Sequence, residues 1–85
     1  MAILKMQSEV IETLGQIFIE QGLTDEILEP TVHLIDELGL DSFELVQLVM
    51  AINQTFSIEV NSQEIVPENF ETLEALTRLV KRKLN

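Results

Sequence analysis

The spacing of apolar residues constrains the fold of this chain more than any other feature of its sequence. In three segments, residues 4–21, 42–56 and about 72 to the end, apolar side chains recur every three or four positions. Such spacing places them along one face of a helix. Only three Gly and two Pro interrupt the 85 residues, which favours long helices over many short strands. The sequence therefore predicts an all-α fold.

Residues suited to helix ends flank these segments. Gly22 can end the first helix in a left-handed conformation, and Asp41 and Thr72 are good N-caps for the second and third. Residues 23–41 lack a clean apolar period, so we expect an ordered loop there, with at most a short helical turn near Asp25–Leu28. The predicted apolar faces consist of Met6, Val10, Ile11, Leu14, Ile17 and Phe18, then Leu45, Val46, Leu48, Val49, Ile52 and Phe56, then Leu73, Leu76, Leu79, Val80 and Leu84.

A shorter element is predicted between the second and third helices. Residues 58–60 have an extended pattern, and Asn61 and Glu64 have the spacing of a capping box. This box would begin a helix of about one turn through Val66, and Pro67 would end it. We therefore expect one domain over residues 1–85, a small bundle of three main helices and one short helix. A long ordered loop joins the first and second helices.

The charge of the chain, −10 at neutral pH, is unevenly distributed. All fifteen Asp and Glu lie in residues 1–77, and Lys5 is the only base in that segment. The other four bases lie in the last eight residues. The negative field would repel nucleic acids and anionic membrane surfaces, and it would attract proteins with basic patches. The terminal bases suit the negative pole of the last helix dipole.

Several classes of site and location are excluded by composition. The chain has no Cys, so disulfides and thiolate metal sites are absent. No apolar run approaches the ~20 residues that cross a bilayer. The N-terminal stretch MAILKMQSEV lacks the long apolar core of a signal peptide. We expect a cytoplasmic protein with no membrane insertion and no metal site.

The stretch that bears on chemistry surrounds Ser42. This serine follows Asp41 at the predicted start of the second helix, where unpaired N–H groups and the helix dipole stabilise an anion. Asp-Ser before an apolar run is also an ordinary helix start, so these two residues alone do not indicate a function.

The longer motif is more specific. Gly39-Leu40-Asp41-Ser42 is followed by Phe43, Val46 and Leu48-Val49-Met50, and then by Phe56, Ile58 and Val60. This pattern resembles the signature of acyl and peptidyl carrier proteins, and the resemblance extends over essentially the whole chain. It implies that Ser42 receives 4′-phosphopantetheine from coenzyme A, and that the chain carries acyl groups as thioesters without catalytic residues of its own.

The resemblance also implies roles for neighbouring residues. Asp41 would help a phosphopantetheinyl transferase to modify the serine, and Glu44 would be an exposed contact for partner enzymes. Phe43, Val46 and Met50 are further candidate partner contacts, although core filling is the commoner use of such a methionine. Whether Leu45, Val46, Val49 and Met50 pack the core, line an acyl pocket or meet partners stays open. The implied partners are the transferase, an acyl- or aminoacyl-loading ligase and downstream biosynthetic enzymes, and the implied state is a monomer.

The chain departs from the pattern of fatty-acid carriers. Phe43 replaces the customary Leu after the serine, and Gln47, Asn53 and Gln54 stand where carboxylates are common. The cargo is therefore open between acyl groups of fatty-acid, polyketide or related pathways and an aminoacyl group of the peptidyl or D-alanyl type.

Other functional classes fit less well. A nucleophilic serine needs a positioned base, and the only histidine is His33, with no Gly-x-Ser-x-Gly elbow in the chain. A calcium-binding EF-hand loop would need oxygen ligands where Asp36, Leu38 and Leu40 stand. A helical interaction module that binds partners without modification stays open, and only the motif at Ser42 argues against it.

Overall fold

The computed structural model describes residues 7–84, with side chains from residue 9 onward. Among these residues no strand occurs, and an isolated bridge joins His33 to Thr72. The all-α prediction is confirmed, although residues 4–6 of the predicted first helix, including Met6, lie outside the described residues. The elements are α1 (Gln7–Glu20), α2 (Leu34–Leu38), α3 (Ser42–Phe56), a 3-10 turn (Ser62–Glu64), α4 (Pro67–Phe70) and α5 (Leu73–Leu84).

The three long helices α1, α3 and α5 supply most of one apolar core. α1 packs against both α3 and α5, and α4 packs against α5. Leu14, Leu48 and Leu76 illustrate the packing, since each is fully buried and each comes from a different helix. The predicted faces of α1 and α5 are therefore confirmed over the described residues, with Ile11 and Leu84 at the half-buried margin. Within residues 7–84, no helix is both long enough and apolar enough to cross a bilayer.

The caps predicted at Gly22, Asp41 and Thr72 are confirmed. Gly22 has a positive φ of 75° after α1, which glycine adopts without strain. The Asp41 side chain caps α3 by accepting the Glu44 N–H. At α5, the Thr72 Oγ1 accepts the Ala75 N–H at 3.0 Å. Each cap satisfies a backbone group that the helix itself leaves unpaired.

The helical turn of the long connection begins nine residues later than predicted, at Leu34 and not at Asp25. Residues 25 and 26 form a bend, residues 27 and 28 have no regular structure, and Thr24 Oγ1 accepts the Glu26 N–H at 3.2 Å. α2 forms instead, because Leu34 is fully buried and its backbone N–H donates to the Glu71 carbonyl at 2.9 Å. These contacts hold the connection against the start of α5.

Pro67 begins a helix where the sequence predicted that it would end one. The capping box of Asn61 and Glu64 is confirmed, but it opens only the three-residue 3-10 turn. Pro67 is then the first residue of α4, a position where its missing N–H costs no hydrogen bond. Val66 before it is extended, with φ −126° and ψ 155°, as residues before proline usually are.

Candidate functional site

The start of α3 is held by a reciprocal pair of hydrogen bonds. Asp41, extended at φ −97° and ψ 178°, is the N-cap. Its Oδ1 accepts the Glu44 N–H at 2.8 Å, and the Glu44 Oε1 accepts the Asp41 N–H at 3.1 Å. This capping box leaves the Asp41 Oδ2 without a hydrogen bond from the described residues. The box therefore fixes the backbone on both sides of the residue that follows the cap.

Ser42 is that residue, the first of α3, and its side chain is exposed. Within residues 7–84, no hydrogen bond engages its hydroxyl, and none engages the backbone N–H of Ser42 or Phe43. Free N–H groups at the positive pole of a 15-residue helix suit a negatively charged phosphodiester. The serine, its hydroxyl and the local field thus fit a covalently attached phosphate group.

A stripe of exposed apolar side chains runs along α3 from this point. Phe43, Val46 and Met50, spaced by three and four residues, are 68%, 50% and 63% exposed. Core filling, the commoner use of a methionine such as Met50, is therefore wrong here, and Val46, whose role was left open, lies outside the core. The apolar face of α3 is wider than the area that neighbouring elements cover, so only one side of this face is buried. That buried side consists of Leu48, Val49, Ile52 and Phe56.

The open question about four α3 residues is thereby answered in part. Val49, 5% exposed, belongs to the core, and Leu45 is half-buried against it. Val46 and Met50 face outward with Phe43. Glu44 was expected to be an exposed contact, but it is half-buried and its Oε1 is engaged in the capping box.

Three amide side chains of α3, at positions where fatty-acid carriers often have carboxylates, have different roles. Asn53 is structural, because its Oδ1 accepts the Val60 N–H at 2.9 Å and holds the chain that leaves α3. Gln47 and Gln54 are exposed. Together with Gln21 and Met50 they line a shallow groove of about 390 Å³ between the end of α1 and α3.

The basic end of α5 is partly neutralised within the molecule. The Lys83 Nζ lies 2.7 Å from the Glu64 Oε1, and Arg78 lies 3.8 Å from Glu74. The hydrogen bond from Lys83, assisted by the Asn61 N–H, lowers the pKa of Glu64 below its ordinary value. The sequence predicted only an interaction with the helix dipole, since nothing local connects residues 64 and 83.

Among the described residues, His33 and the remaining acidic side chains do not assemble a metal or catalytic site. His33 is exposed, and its backbone N–H donates to the Glu37 Oε2 at 3.0 Å. In the part of the chain that the structure describes, no group of three His, Cys, Asp or Glu side chains is placed to hold a metal ion.

Comparison with known proteins identifies the family. Residues 12–80, from α1 to α5, match the family model described as a phosphopantetheine attachment site. This chain belongs to the phosphopantetheine-attachment family. Members are carrier proteins that hold 4′-phosphopantetheine covalently and bear a substrate without converting it. The resemblance stated from the motif is confirmed.

Two curated relatives of this carrier represent two kinds of cargo. An acyl carrier protein of Syntrophobacter fumaroxidans is 30% identical over 64 residues, which are 75% of this chain and 75% of that protein. Aminoacyl carrier protein 1 of Bradyrhizobium diazoefficiens is 33% identical over 66 residues, 78% of this chain and 72% of that protein. The similarity to the two is nearly equal, so it does not favour one cargo.

Proposed function

We propose that this carrier bears its phosphopantetheine on Ser42 and tethers acyl intermediates as thioesters for fatty-acid, polyketide or related specialised biosynthesis. The observation that carries the assignment is Ser42 at the capped start of α3, inside the matched range, where its exposed hydroxyl has no hydrogen bond to residues 7–84. We further propose that residues 1–85 act as a single domain and a monomer.

The chain's own residues would position and expose the attachment point. When bound, phosphopantetheine supplies a flexible arm whose terminal thiol holds the cargo. The box of Asp41 and Glu44 keeps the backbone of Ser42 fixed, and the free N–H groups at the helix start stabilise a phosphate there. Since the chain contains no Cys, no protein thiol competes for the cargo.

The exposed stripe of Phe43, Val46 and Met50 is the proposed contact surface for partner enzymes. It begins beside Ser42, so an enzyme that covers it also reaches the attachment point. Covering exposed apolar side chains is favourable by about 25 cal/mol per Å². The proposed partners are a phosphopantetheinyl transferase, which Asp41 supports, a loading ligase and downstream enzymes.

An aminoacyl carrier loaded by an adenylating ligase is the second candidate function. The uncharged surface of α3 favours it: Gln47 and Gln54 are exposed amides, and the one acidic residue of this helix, Glu44, is engaged in the cap. One of the two relatives, that from Bradyrhizobium diazoefficiens, is itself named an aminoacyl carrier.

Intact-mass measurement tests the attachment site. The purified protein is incubated with coenzyme A, magnesium and a broad-specificity phosphopantetheinyl transferase, beside a known carrier. We expect the mass of one phosphopantetheine group to be added to the native chain and to Ser62→Ala, but not to Ser42→Ala. No gain by the native protein would favour an unmodified interaction module. The modified protein, offered acyl- and aminoacyl-loading ligases in turn, then distinguishes the two cargoes.

A further inference from the structure

A second apolar surface lies on the outer side of α1. Ile11, Gly15 and Ile19, each four residues apart, face Ile27 and Leu28 of the long connection across a groove of about 470 Å³. We call this the α1 groove. Ile27 is 91% exposed, the most exposed of the large apolar side chains in the described chain. None of these residues belongs to the exposed stripe on α3.

Gly15 lines the α1 groove between Ile11 and Ile19. A Cβ at this position would meet no atom within 4 Å, so packing does not require a glycine. Its φ is not in the left-handed region, so the backbone does not require one either. A glycine inside a helix lowers helix stability relative to alanine. What Gly15 does provide is open space between Ile11 and Ile19.

The α1 groove continues into an acidic groove. The two share Ile27 and Leu28, and the second is also lined by Glu26, Glu29 and Glu37. No Lys or Arg among residues 7–84 lines either of them. An apolar trough next to three carboxylates is complementary to a segment with apolar and cationic side chains.

We propose that the α1 groove binds an amphipathic segment of a partner protein, with apolar side chains over Gly15 and Lys or Arg side chains at Glu26, Glu29 and Glu37. A second copy of this chain is disfavoured as the occupant, because two surfaces of a protein with net charge −10 repel each other. The inference does not rest on the modification of Ser42, and it applies equally to Ser42→Ala.

Titration followed by NMR tests this proposal on the full chain. The probe is a synthetic helical peptide of Leu and Lys with all Leu on one face, and the control is the matching peptide of Leu and Glu. We expect the cationic peptide to shift the backbone amide signals of Ile11, Gly15, Ile19 and Ile27, more weakly at high salt. The acidic peptide should leave them unchanged.

Matched variants distinguish peptide binding in the α1 groove from nonspecific attraction to the acidic surface. Gly15→Ala should bind like the native chain with a raised thermal midpoint, because one methyl group leaves the trough open. Gly15→Leu fills it and should weaken binding about tenfold. Ile27→Ser, at an exposed site where folding is not at risk, should weaken binding similarly, whereas Phe43→Ser on α3 should not.

Three results would overturn the proposal. The first is a set of shifts centred on Phe43, Val46 and Met50, or spread over all acidic residues. The second is unchanged affinity in both Gly15→Leu and Ile27→Ser. The third is a groove already occupied without peptide, seen as shifts that depend on protein concentration or as contacts from residues 1–6.

Discussion

Two serines of this chain stand in nearly the same local structure. Ser42 follows Asp41 at the start of α3, and Ser62 follows Asn61 at the start of the 3-10 turn. The two cap residues have similar backbone angles, φ −97° and ψ 178° for Asp41 and φ −92° and ψ 170° for Asn61. In each, the cap N–H donates to a glutamate three residues later at 3.1 Å. Both serines are exposed.

The surroundings of the two serines differ. α3 continues for 15 residues and carries an exposed apolar stripe, whereas the turn after Asn61 lasts three residues and its Glu64 is paired with Lys83. A long helix aligns many peptide dipoles, and a single 3-10 turn aligns few. A capped serine is therefore insufficient for a modification site, and Ser62 is a control for Ser42 within the same molecule.

Truncating a buried side chain of α3 should have the greatest effect on stability. Leu48 is fully buried, so Leu48→Ala should lower the free energy of unfolding by about 2–5 kcal/mol. Ile65, beside the second box, is only half-buried, and Ile65→Ala should cost roughly 1–2 kcal/mol. Urea denaturation measures both. Equal losses in the free energy of unfolding would mean that core packing supports the two capping boxes to the same extent.

Asp41→Asn removes the negative charge of Asp41 but keeps its ability to cap α3. Because Asn and Asp are equally good N-caps, stability should change by less than about 0.5 kcal/mol. The rate of phosphopantetheine transfer should fall at least about tenfold, since the carboxylate proposed to assist the transferase is lost. Transfer rates and denaturation midpoints are compared with those of Asp41→Ala, which also loses the cap. An unchanged rate in Asp41→Asn would contradict the proposed role.

Glu64→Gln tests the ion pair at the second box. Since the folded pKa of Glu64 is lowered, the pair stabilises the protein above the ordinary value of 4.5 and ceases to do so as the pH falls through the folded pKa. The variant should therefore have a lower thermal midpoint than the native chain at pH 7, and the difference should vanish in acid. Lys83→Met should show the same trend. A pH-independent difference would argue against the ion pair.

The smallest expected effect is that of Asn61→Asp. This change gives the second box the same Asp-Ser pair as the first, with little change in capping. We expect Ser62 to stay unmodified by the transferase, because the turn lacks both the long helix and the apolar stripe. Modification of Ser62 in an Asn61→Asp, Ser42→Ala variant, followed by intact mass, would show that the box and an aspartate suffice.

Local features of the fold could be predicted from the sequence. The apolar spacing that predicts α1, α3 and α5 involves residues close in sequence, and so do the caps at Asp41 and Thr72. These features could therefore be predicted from the sequence. α2 depends on the burial of Leu34 and on the backbone bond to Glu71, which is distant in the chain. The pairing of Glu64 with Lys83 was missed for the same reason.

The candidate site was predicted to a similar extent. The motif placed Ser42 at a capped helix start, and the structure has it there. Val46 and Met50 were named as candidate partner contacts, but the sequence could not separate them from core residues, because an apolar face wider than the buried surface looks continuous in sequence. The α1 groove was missed, although Gly15 between Ile11 and Ile19 in a helical pattern was a readable signal.

Locating the attached group on the native chain is the decisive test of Ser42 as the attachment site. After reaction with coenzyme A and the transferase, the protein is digested and the peptides that contain Ser42 and Ser62 are sequenced by mass spectrometry. We expect phosphopantetheine on Ser42 in every modified molecule and none on Ser62. Phosphopantetheine on Ser62 or any other residue, or no modification while a known carrier reacts alongside, would contradict it.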